Sequence, residues 1–134
     1  MTSSLEVVQA FVQDVWSEGR LDRIPVLVDE DYTVYGTVEG QDFVRRNVLN
    51  WRSAFPDLNC TILTACADGE NVAIIVRMTG THLGDWYGTL ATGRTVDIRE
   101  AIFWRVRNGR LASIESIGES LKFRKQLGLL PEDA

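Results

Sequence analysis

In the first half of the chain, hydrophobic positions follow the period of an α-helix in two places. Between Ser3 and Gly19 the apolar residues recur every three or four positions, at Leu5, Val8, Phe11, Val12, Val15 and Trp16. Ser3 and Glu6 have the spacing of a capping box, and Gly19 ends the pattern. A second such pattern runs from about Gln41 to Ala54 and stops before Pro56. We therefore predict two amphipathic helices.

Two shorter elements are predicted between these helices. A second, short helix carries Ile24, Leu27 and Val28, and Pro25 is tolerated in its first turn. The segment from Tyr32 to Tyr35 is rich in β-forming residues and is closed by Gly36, which predicts a short strand.

The second half of the chain is dominated by β-rich runs. These predict strands over residues 58–67, 71–82, 95–107 and 110–118. Asp68-Gly69-Glu70 and Asn108-Gly109 are hairpin signals, the glycine-rich residues 83–94 are expected to form a long loop or a broken hairpin, and residues 120–127 are expected to form a last short helix. Helices that precede strands are typical of an α+β domain with a mainly antiparallel sheet. We expect a single domain over residues 1–134.

The two-residue turn at Asn108-Gly109 predicts the register of the last hairpin, because it places Arg107 opposite Arg110. With strict pairing from there, one face carries Glu100, Glu115 and Glu119 among the apolar residues Ile98, Ile102, Trp104, Val106, Leu111 and Ile117. The opposite face carries Phe103, Ala101, Ala112, Ile114, Ser116 and Gly118 with Asp97, Arg99 and Arg105.

The mixture of carboxylates and apolar residues on the first face indicates a pocket. A packed core does not hold unpaired carboxylates without a large cost or a shifted pKa, whereas a solvent-filled apolar pocket does. The alternative is that these glutamates pair with arginines at the margin of the sheet, such as Arg99, Arg105, Arg45 or Arg46. Both interpretations remain open from the sequence.

Composition narrows the class of partner. The net charge is −5 and no basic stripe is present, so we expect neither nucleic-acid nor membrane binding. The N-terminus lacks the pattern of a signal peptide, and we expect a cytoplasmic protein. The single histidine and two separated cysteines do not form a metal motif, and Gly80, Gly84 and Gly88 do not precede a helix. We therefore expect no metal and no cofactor.

Several short motifs, in their order along nearly the whole chain, resemble the SnoaL-like polyketide cyclase family. They are Ala54-Phe55-Pro56-Asp57-Leu58, Gly80-Thr81-His82-Leu83-Gly84-Asp85, Thr92-Gly93-Arg94 and Gln126-Leu127-Gly128. The resemblance implies the cone-shaped α+β fold of ketosteroid isomerase and the nuclear transport factor. In that fold a curved sheet wraps around a long helix and encloses a hydrophobic cavity.

The resemblance also implies site residues. In SnoaL-like cyclases an aspartate about seven residues before the Gln-Leu-Gly run is the acid/base of an intramolecular aldol ring closure. Glu119 stands at that place here. The pocket histidine of the preceding strand is not reproduced, because this chain has Trp104 and Arg105 there.

Other residues are candidates for the pocket. Together with Glu119, the expected catalytic residues are Glu100 and His82, although the favoured interpretation of His82 is a structural residue that organises its loop. Tyr32 and Tyr35 are candidate phenolic donors, of which we retain Tyr35. The expected substrate-binding residues are Glu115, Trp104, Ile98, Ile102, Ile117, Tyr35 and Trp86.

The function expected from this pattern and resemblance is aldol cyclisation of a polyketide in antibiotic-type secondary metabolism. The alternatives are a hydroxylase of an anthracycline-type polyketide, with a partner reductase, and a non-catalytic domain that binds a ligand or a protein chain. The face with Phe103 and Ile114 has no further helix to cover it, and we expect a homodimer through that face.

Overall fold

The computed structural model describes residues 2–133. The first helix, α1 (Ser4–Ala10), begins at the predicted capping box: the Ser3 hydroxyl accepts a hydrogen bond from the Glu6 amide at 3.1 Å, and the Glu6 carboxylate accepts one from the Ser3 amide at 3.3 Å. The helix continues through Phe11–Ser17 with wider π-helical turns. Gly19 then adopts a φ of +72°, which a glycine tolerates best, and the helix ends.

The next segment differs in part from its prediction. A 3₁₀ turn (Leu21–Arg23) leads into α2 (Ile24–Leu27), with Pro25 in its first turn as predicted. Val28 is not helical, because it starts β1 (Val28–Val34). A turn with positive φ at Tyr35 and Gly36 connects β1 to a two-residue strand that the sequence did not predict, β2 (Thr37–Val38).

The remaining elements lie close to their predicted bounds. They are α3 (Gly40–Ala54), β3 (Asn59–Asp68), β4 (Asn71–Thr81), β5 (Thr95–Arg107), β6 (Arg110–Gly118) and α4 (Ser120–Gln126). The six strands form one sheet in the order β2-β1-β6-β5-β4-β3. Only β1 and β6 pair in parallel. The predicted α+β class is confirmed, with a sheet that remains open rather than closing into a barrel.

The last hairpin contains a β-bulge that the turn rule did not predict. Arg107 pairs with Arg110 and Val106 with Leu111 as expected, but Arg105 pairs with Ser113, so Ala112 is an extra residue. Leu111 and Ala112 are both buried. Every later residue of β6 therefore faces the side opposite to its predicted one.

This shift corrects the predicted faces. The inner face of the sheet, against the helices, carries Ile114 and Ser116, while Glu115 and Ile117 lie on the outer face beside Phe103 and Ala101. The assignments of Ile114 and Gly118 to the outer face were wrong for the same reason. The core lies between the inner face and the helices α1 and α3. No helix within residues 2–133 is long and apolar enough to cross a membrane.

Candidate functional site

A cavity of about 180 Å³ lies between the inner face of the sheet and the helices. Its wall is mainly apolar and aromatic, contributed by Phe11, Val12, Trp16, Phe43, Val44, Trp51, Val76, Met78, Ile102 and Ile114. The π-helical continuation of α1 (Phe11–Ser17) and the amphipathic face of α3 supply one side of this wall, and alternate residues of the strands supply the other. An apolar cavity with a few polar groups is the usual form of a small-molecule site.

Among the described lining residues, Glu100 is the one carboxylate. It lies on β5, on the same face as Ile102 and Trp104. Burial raises the pKa of the Glu100 carboxyl above its usual range, and the nearby Ser116 hydroxyl acts in the opposite direction. The carboxyl group is thus better suited to exchange a proton near neutral pH than an exposed glutamate.

Gly118 is paired with Glu100 across β5 and β6. A Cβ atom at position 118 would lie 3.4 Å from Glu100 Cγ and 3.6 Å from Oε2. Because glycine has only a hydrogen atom in place of a side chain, residue 118 does not cover this side of the Glu100 carboxylate. Gly118 is exposed and Glu100 is half-buried, so the Glu100 carboxylate is not sealed from solvent on this side.

A second polar feature is a buried pair at the opposite end of the β5 row. Trp104 Nε1 donates a hydrogen bond of 3.0 Å to the Tyr32 hydroxyl. Both side chains line the cavity and are almost completely buried. Burial raises the pKa of the Tyr32 phenol far above its ordinary value, so this group is a neutral hydroxyl at any physiological pH.

Tyr35 lies at the rim of the cavity. Its backbone φ is +50°, and its side chain is exposed. The Tyr35 hydroxyl donates to the Ser116 carbonyl at 2.6 Å and accepts from the Ser116 amide at 3.3 Å. The Tyr35 side chain thereby satisfies the backbone amide and carbonyl of Ser116, which lies beyond the last residue of β6 that pairs with β1. Tyr35 lines the cavity as expected, although its hydroxyl is engaged with the backbone.

The placement of Glu119 in the cavity was wrong. The carboxylate lies over the outer face, where it accepts hydrogen bonds from Arg99 Nε at 3.0 Å and from the Arg99 amide at 3.2 Å. These bonds hold the pKa of the Glu119 carboxyl below its usual range. The Glu119 carboxylate is therefore ionised and paired with an arginine at the margin of the sheet. The sequence left this pairing open as the alternative to a position in the pocket.

Two other members of the predicted pocket face lie outside the cavity. Because of the bulge at Ala112, Glu115 and Ile117 face outward, and Ile117 is 82% exposed. Ile98 is on the inner face but is part of the packed core rather than the cavity lining. Of the residues predicted for the site, the structure brings Glu100, Ile102, Trp104 and Tyr35 together around the cavity.

His82 and Trp86 belong to a separate aromatic cluster under residues 83–94. His82 is fully buried, and its Nδ1 accepts a hydrogen bond from the Thr92 amide at 3.2 Å. Its ring packs 5.4 Å from that of Phe55. Trp86 packs 4.5 Å from Trp51. The geometry agrees with a histidine that organises its loop, and neither residue lines the cavity.

The sequence reasoning missed three polar groups of the cavity. Ser116 was assigned to the wrong face by the register, and Tyr32 was considered but set aside. Asn47 projects from α3, three residues after Val44 and four after Phe43, so its position within the apolar stripe was the available signal. Asn47 makes no side-chain hydrogen bond with residues 2–133 and so offers a free amide to a ligand.

The thiol of Cys60 also lines the cavity. Burial raises its pKa to about 12, so the group remains a neutral thiol and is not an activated nucleophile. Within residues 2–133 no three His, Cys, Asp or Glu side chains lie together as a metal site. The polar chemistry of the cavity is therefore that of one carboxyl group with hydroxyl and amide groups.

Comparison with known proteins identifies the family to which this chain belongs. Residues 6–127 match the family model described as SnoaL-like polyketide cyclase, and the chain belongs to this family. No significant match is found among curated proteins.

Solved structures support the fold. A proposed polyketide cyclase from Acidithiobacillus ferrooxidans is 26% identical, with a TM-score of 0.86 and 96% of each chain covered. IdmH from Streptomyces antibioticus, also a proposed polyketide cyclase, is 21% identical with a TM-score of 0.84 over 95% of this chain and 99% of that one. AclR from Streptomyces galilaeus, a proposed hydroxylase, is 21% identical with a TM-score of 0.84 over 96% and 83%. At the identity of the last two, the likeness concerns the fold alone.

Proposed function

We propose that this protein is a polyketide-modifying enzyme and that Glu100 is the acid/base of an intramolecular aldol cyclisation in antibiotic-type secondary metabolism. The observation that carries the proposal is the single carboxyl group in an apolar cavity, with its pKa raised by burial. Membership of the SnoaL-like family supports the substrate class. The role that the resemblance gave to Glu119 passes to Glu100, because Glu119 is engaged with Arg99 on the outer face.

The reaction needs one group that both accepts and returns a proton. The Glu100 carboxylate removes a proton from a carbon beside a carbonyl group, and the resulting enolate attacks a second carbonyl carbon of the same molecule. A carbon–carbon bond forms, the electron pair of that carbonyl moves to its oxygen, and the proton returns from the Glu100 carboxyl to this oxygen. Atoms are conserved, so the step is an isomerisation. Asn47 and Ser116 line the cavity, where their side chains are placed to orient oxygen atoms of the polyketide substrate.

Hydroxylation is the second candidate. It is supported by the aromatic wall of the cavity, which suits a flat electron-rich ring, and by the fold shared with a proposed hydroxylase. One oxygen atom of O₂ would enter a ring C–H bond and the other would leave as water, with two electrons from a partner reductase and two protons from solvent. Mass spectrometry separates the candidates: cyclisation leaves the substrate mass unchanged or removes one water, and hydroxylation adds one oxygen atom.

The test of the acid/base role uses a small flat ketone, acetophenone, in deuterated water. We expect the unmodified protein to accelerate deuterium incorporation at the methyl carbon, measured by NMR. Glu100→Gln should reduce this rate by about 10²–10⁴-fold, the usual contribution of a general acid/base. Glu70→Gln, at the exposed β3–β4 turn, is the matched control and should keep the rate. A change below about threefold in Glu100→Gln would contradict the assignment, and binding without exchange would favour a non-catalytic domain.

We also propose a homodimer through the outer face of the sheet. Phe103 is 41% exposed there, next to Ala101, Ile117 and Ile75. Glu115 lies beside Phe103, and Arg105 follows on the same face of β5. A two-fold axis near Phe103 would set Glu115 of one copy against Arg105 of the other, so a second copy matches both the apolar centre and the charges.

Sedimentation of the unmodified protein at micromolar concentration tests the dimer. We expect a dimer, and we expect Phe103→Glu to give monomers with the fold retained, because the new carboxylate would be buried at a dry contact. A monomeric unmodified protein, or a dimer in Phe103→Glu, would refute the proposal.

A further inference from the structure

We propose that the Tyr32 hydroxyl, held by Trp104, is the hydrogen-bond donor that binds a carbonyl oxygen of the substrate and stabilises the negative charge developing on it. The inference rests on the proposed function for its chemistry, but its test does not require turnover. It would make Tyr32 a catalytic residue and Trp104 a positioning residue.

The argument begins with the hydrogen bonds of the Tyr32 hydroxyl. The oxygen accepts one bond, from Trp104 Nε1. The hydroxyl proton has no acceptor among residues 2–133, although the side chain is only 2% exposed. A buried donor without an acceptor is costly, and such groups cluster at functional sites. Because Tyr32 lines the cavity, a ligand oxygen in that space can accept this proton.

The Trp104 side chain fixes the direction of this donor. The indole is packed edge to face against Phe11, with ring centroids 5.8 Å apart and an interplanar angle of 83°. Its N–H occupies one lone-pair direction of the Tyr32 oxygen, which restricts where the phenolic proton can point. A hydroxyl that accepts one hydrogen bond also becomes a better donor of the next. The pair therefore presents a fixed, neutral donor in an apolar wall, as required of an oxyanion-stabilising group.

The position of this donor relative to Glu100 defines a class of substrate. Glu100 and Trp104 are four residues apart on the same face of β5, or about 13 Å along the strand, with Ile102 between them. A substrate that uses both groups must be long enough to place an acidic C–H bond beside Glu100 and a carbonyl oxygen beside Tyr32. The negative charge reaches that oxygen only if conjugated C=C and C=O groups connect the two positions, as in an enolised poly-β-carbonyl chain. A short ketone would bring only one of the two groups into use.

The experiment compares two probes of nearly the same shape, 4-nitrophenol in its ionised form and nitrobenzene, by calorimetric titration. We expect the unmodified protein to prefer the phenolate. Tyr32→Phe should lower the affinity ratio of phenolate to nitrobenzene by about 10- to 100-fold, the range for a hydrogen bond to a charged group. Trp104→Phe should lower it by a smaller factor. Tyr87→Phe, on the exposed loop, should leave it unchanged.

Two outcomes would overturn the proposal: an unmodified protein that binds both probes equally or neither, and a Tyr32→Phe variant that keeps the ratio. If Tyr32→Phe fails to fold, para-substituted phenolates of graded basicity, titrated into unmodified protein, replace it, and an affinity independent of basicity refutes the donor. Glu100→Gln should not lower the ratio. Failure of the acid/base proposal and failure of this donor are therefore distinguishable.

Discussion

Replacing the Glu100 carboxyl by an amide should stabilise the folded protein at neutral pH. A glutamate whose pKa is raised by burial binds its proton more tightly in the folded chain than in the unfolded chain. Below the unfolded pKa both states are protonated, so there is no difference. As pH rises through the unfolded and then the folded pKa, the ionised group costs the folded protein stability. Glu100→Gln removes this cost.

The magnitude follows from the surroundings of the carboxyl group. A fully buried, unpaired carboxylate costs several kcal/mol. Glu100 keeps contact with solvent beside Gly118, and the Ser116 hydroxyl offsets part of the cost. We expect a gain of about 1 kcal/mol in the free energy of unfolding at pH 7, or about 4 °C in the melting temperature of a chain of this length. The gain should vanish near pH 4.

Thermal melting of the two proteins from pH 4 to pH 8 is the assay, and Glu119→Gln provides a control of opposite sign. The pKa of Glu119 is lowered by its bonds to Arg99, so this carboxylate stabilises the fold at neutral pH, and that contribution is lost as pH falls through the folded pKa. Glu119→Gln should therefore melt lower at pH 7 and approach the unmodified protein in acid. Equal shifts in both variants, or a Glu100→Gln difference that is independent of pH, would refute the assignment of Glu100 to an apolar site.

Three further predictions concern residues near the cavity and its supporting loop. Gly118→Ala should move the acidic limb of the pH–rate profile to higher pH, because its methyl group would contact and desolvate the Glu100 carboxylate; an unmoved limb would mean that another group titrates. His82→Asn should lower stability by about 1–3 kcal/mol in denaturant titration while the deuterium-exchange rate changes little, since its ring lies outside the cavity; a lost rate with unchanged stability would reverse these roles. Gly84→Ala should destabilise by more than about 3 kcal/mol, because its Cβ would overlap the Ser53 carbonyl oxygen, and a melting temperature within about 2 °C of the unmodified protein would contradict this packing.

The sequence predicted the elements well because their signals are local. The capping box at Ser3 and Glu6, the apolar stripe of α3 and the Asn108-Gly109 turn each depend on a few neighbouring residues, and each is found where expected. The extension of β1 to Val28 was missed because its pairing with Leu111 is a tertiary contact without a local pattern.

The candidate site was predicted less completely because it depends on register. The predicted face was correct for three residues of β5, Glu100, Ile102 and Trp104, because the bulge lies in the partner strand β6. It was wrong for Glu115, which follows the bulge in β6. The environment of Glu119 depends on Arg99, which only the folded sheet brings beside it. Likewise, the donor role proposed for Tyr32 depends on its hydrogen bond from Trp104, a contact between distant parts of the chain that the sequence does not reveal.

The extra residue Ala112 gives β6 an unusual sensitivity to insertions and deletions. Removing it would restore strict alternation, which would turn Glu115 and Ile117 into the cavity and Ile114 and Ser116 out of it. A substitution in this strand changes one contact with a ligand, but a single-codon deletion would exchange a whole row at once while β3, β4 and β5 kept their pairing with one another. Divergence in ligand choice among chains with this fold can therefore proceed by changes of length as well as changes of residue, and an alignment that leaves a gap at this place would compare side chains from opposite faces.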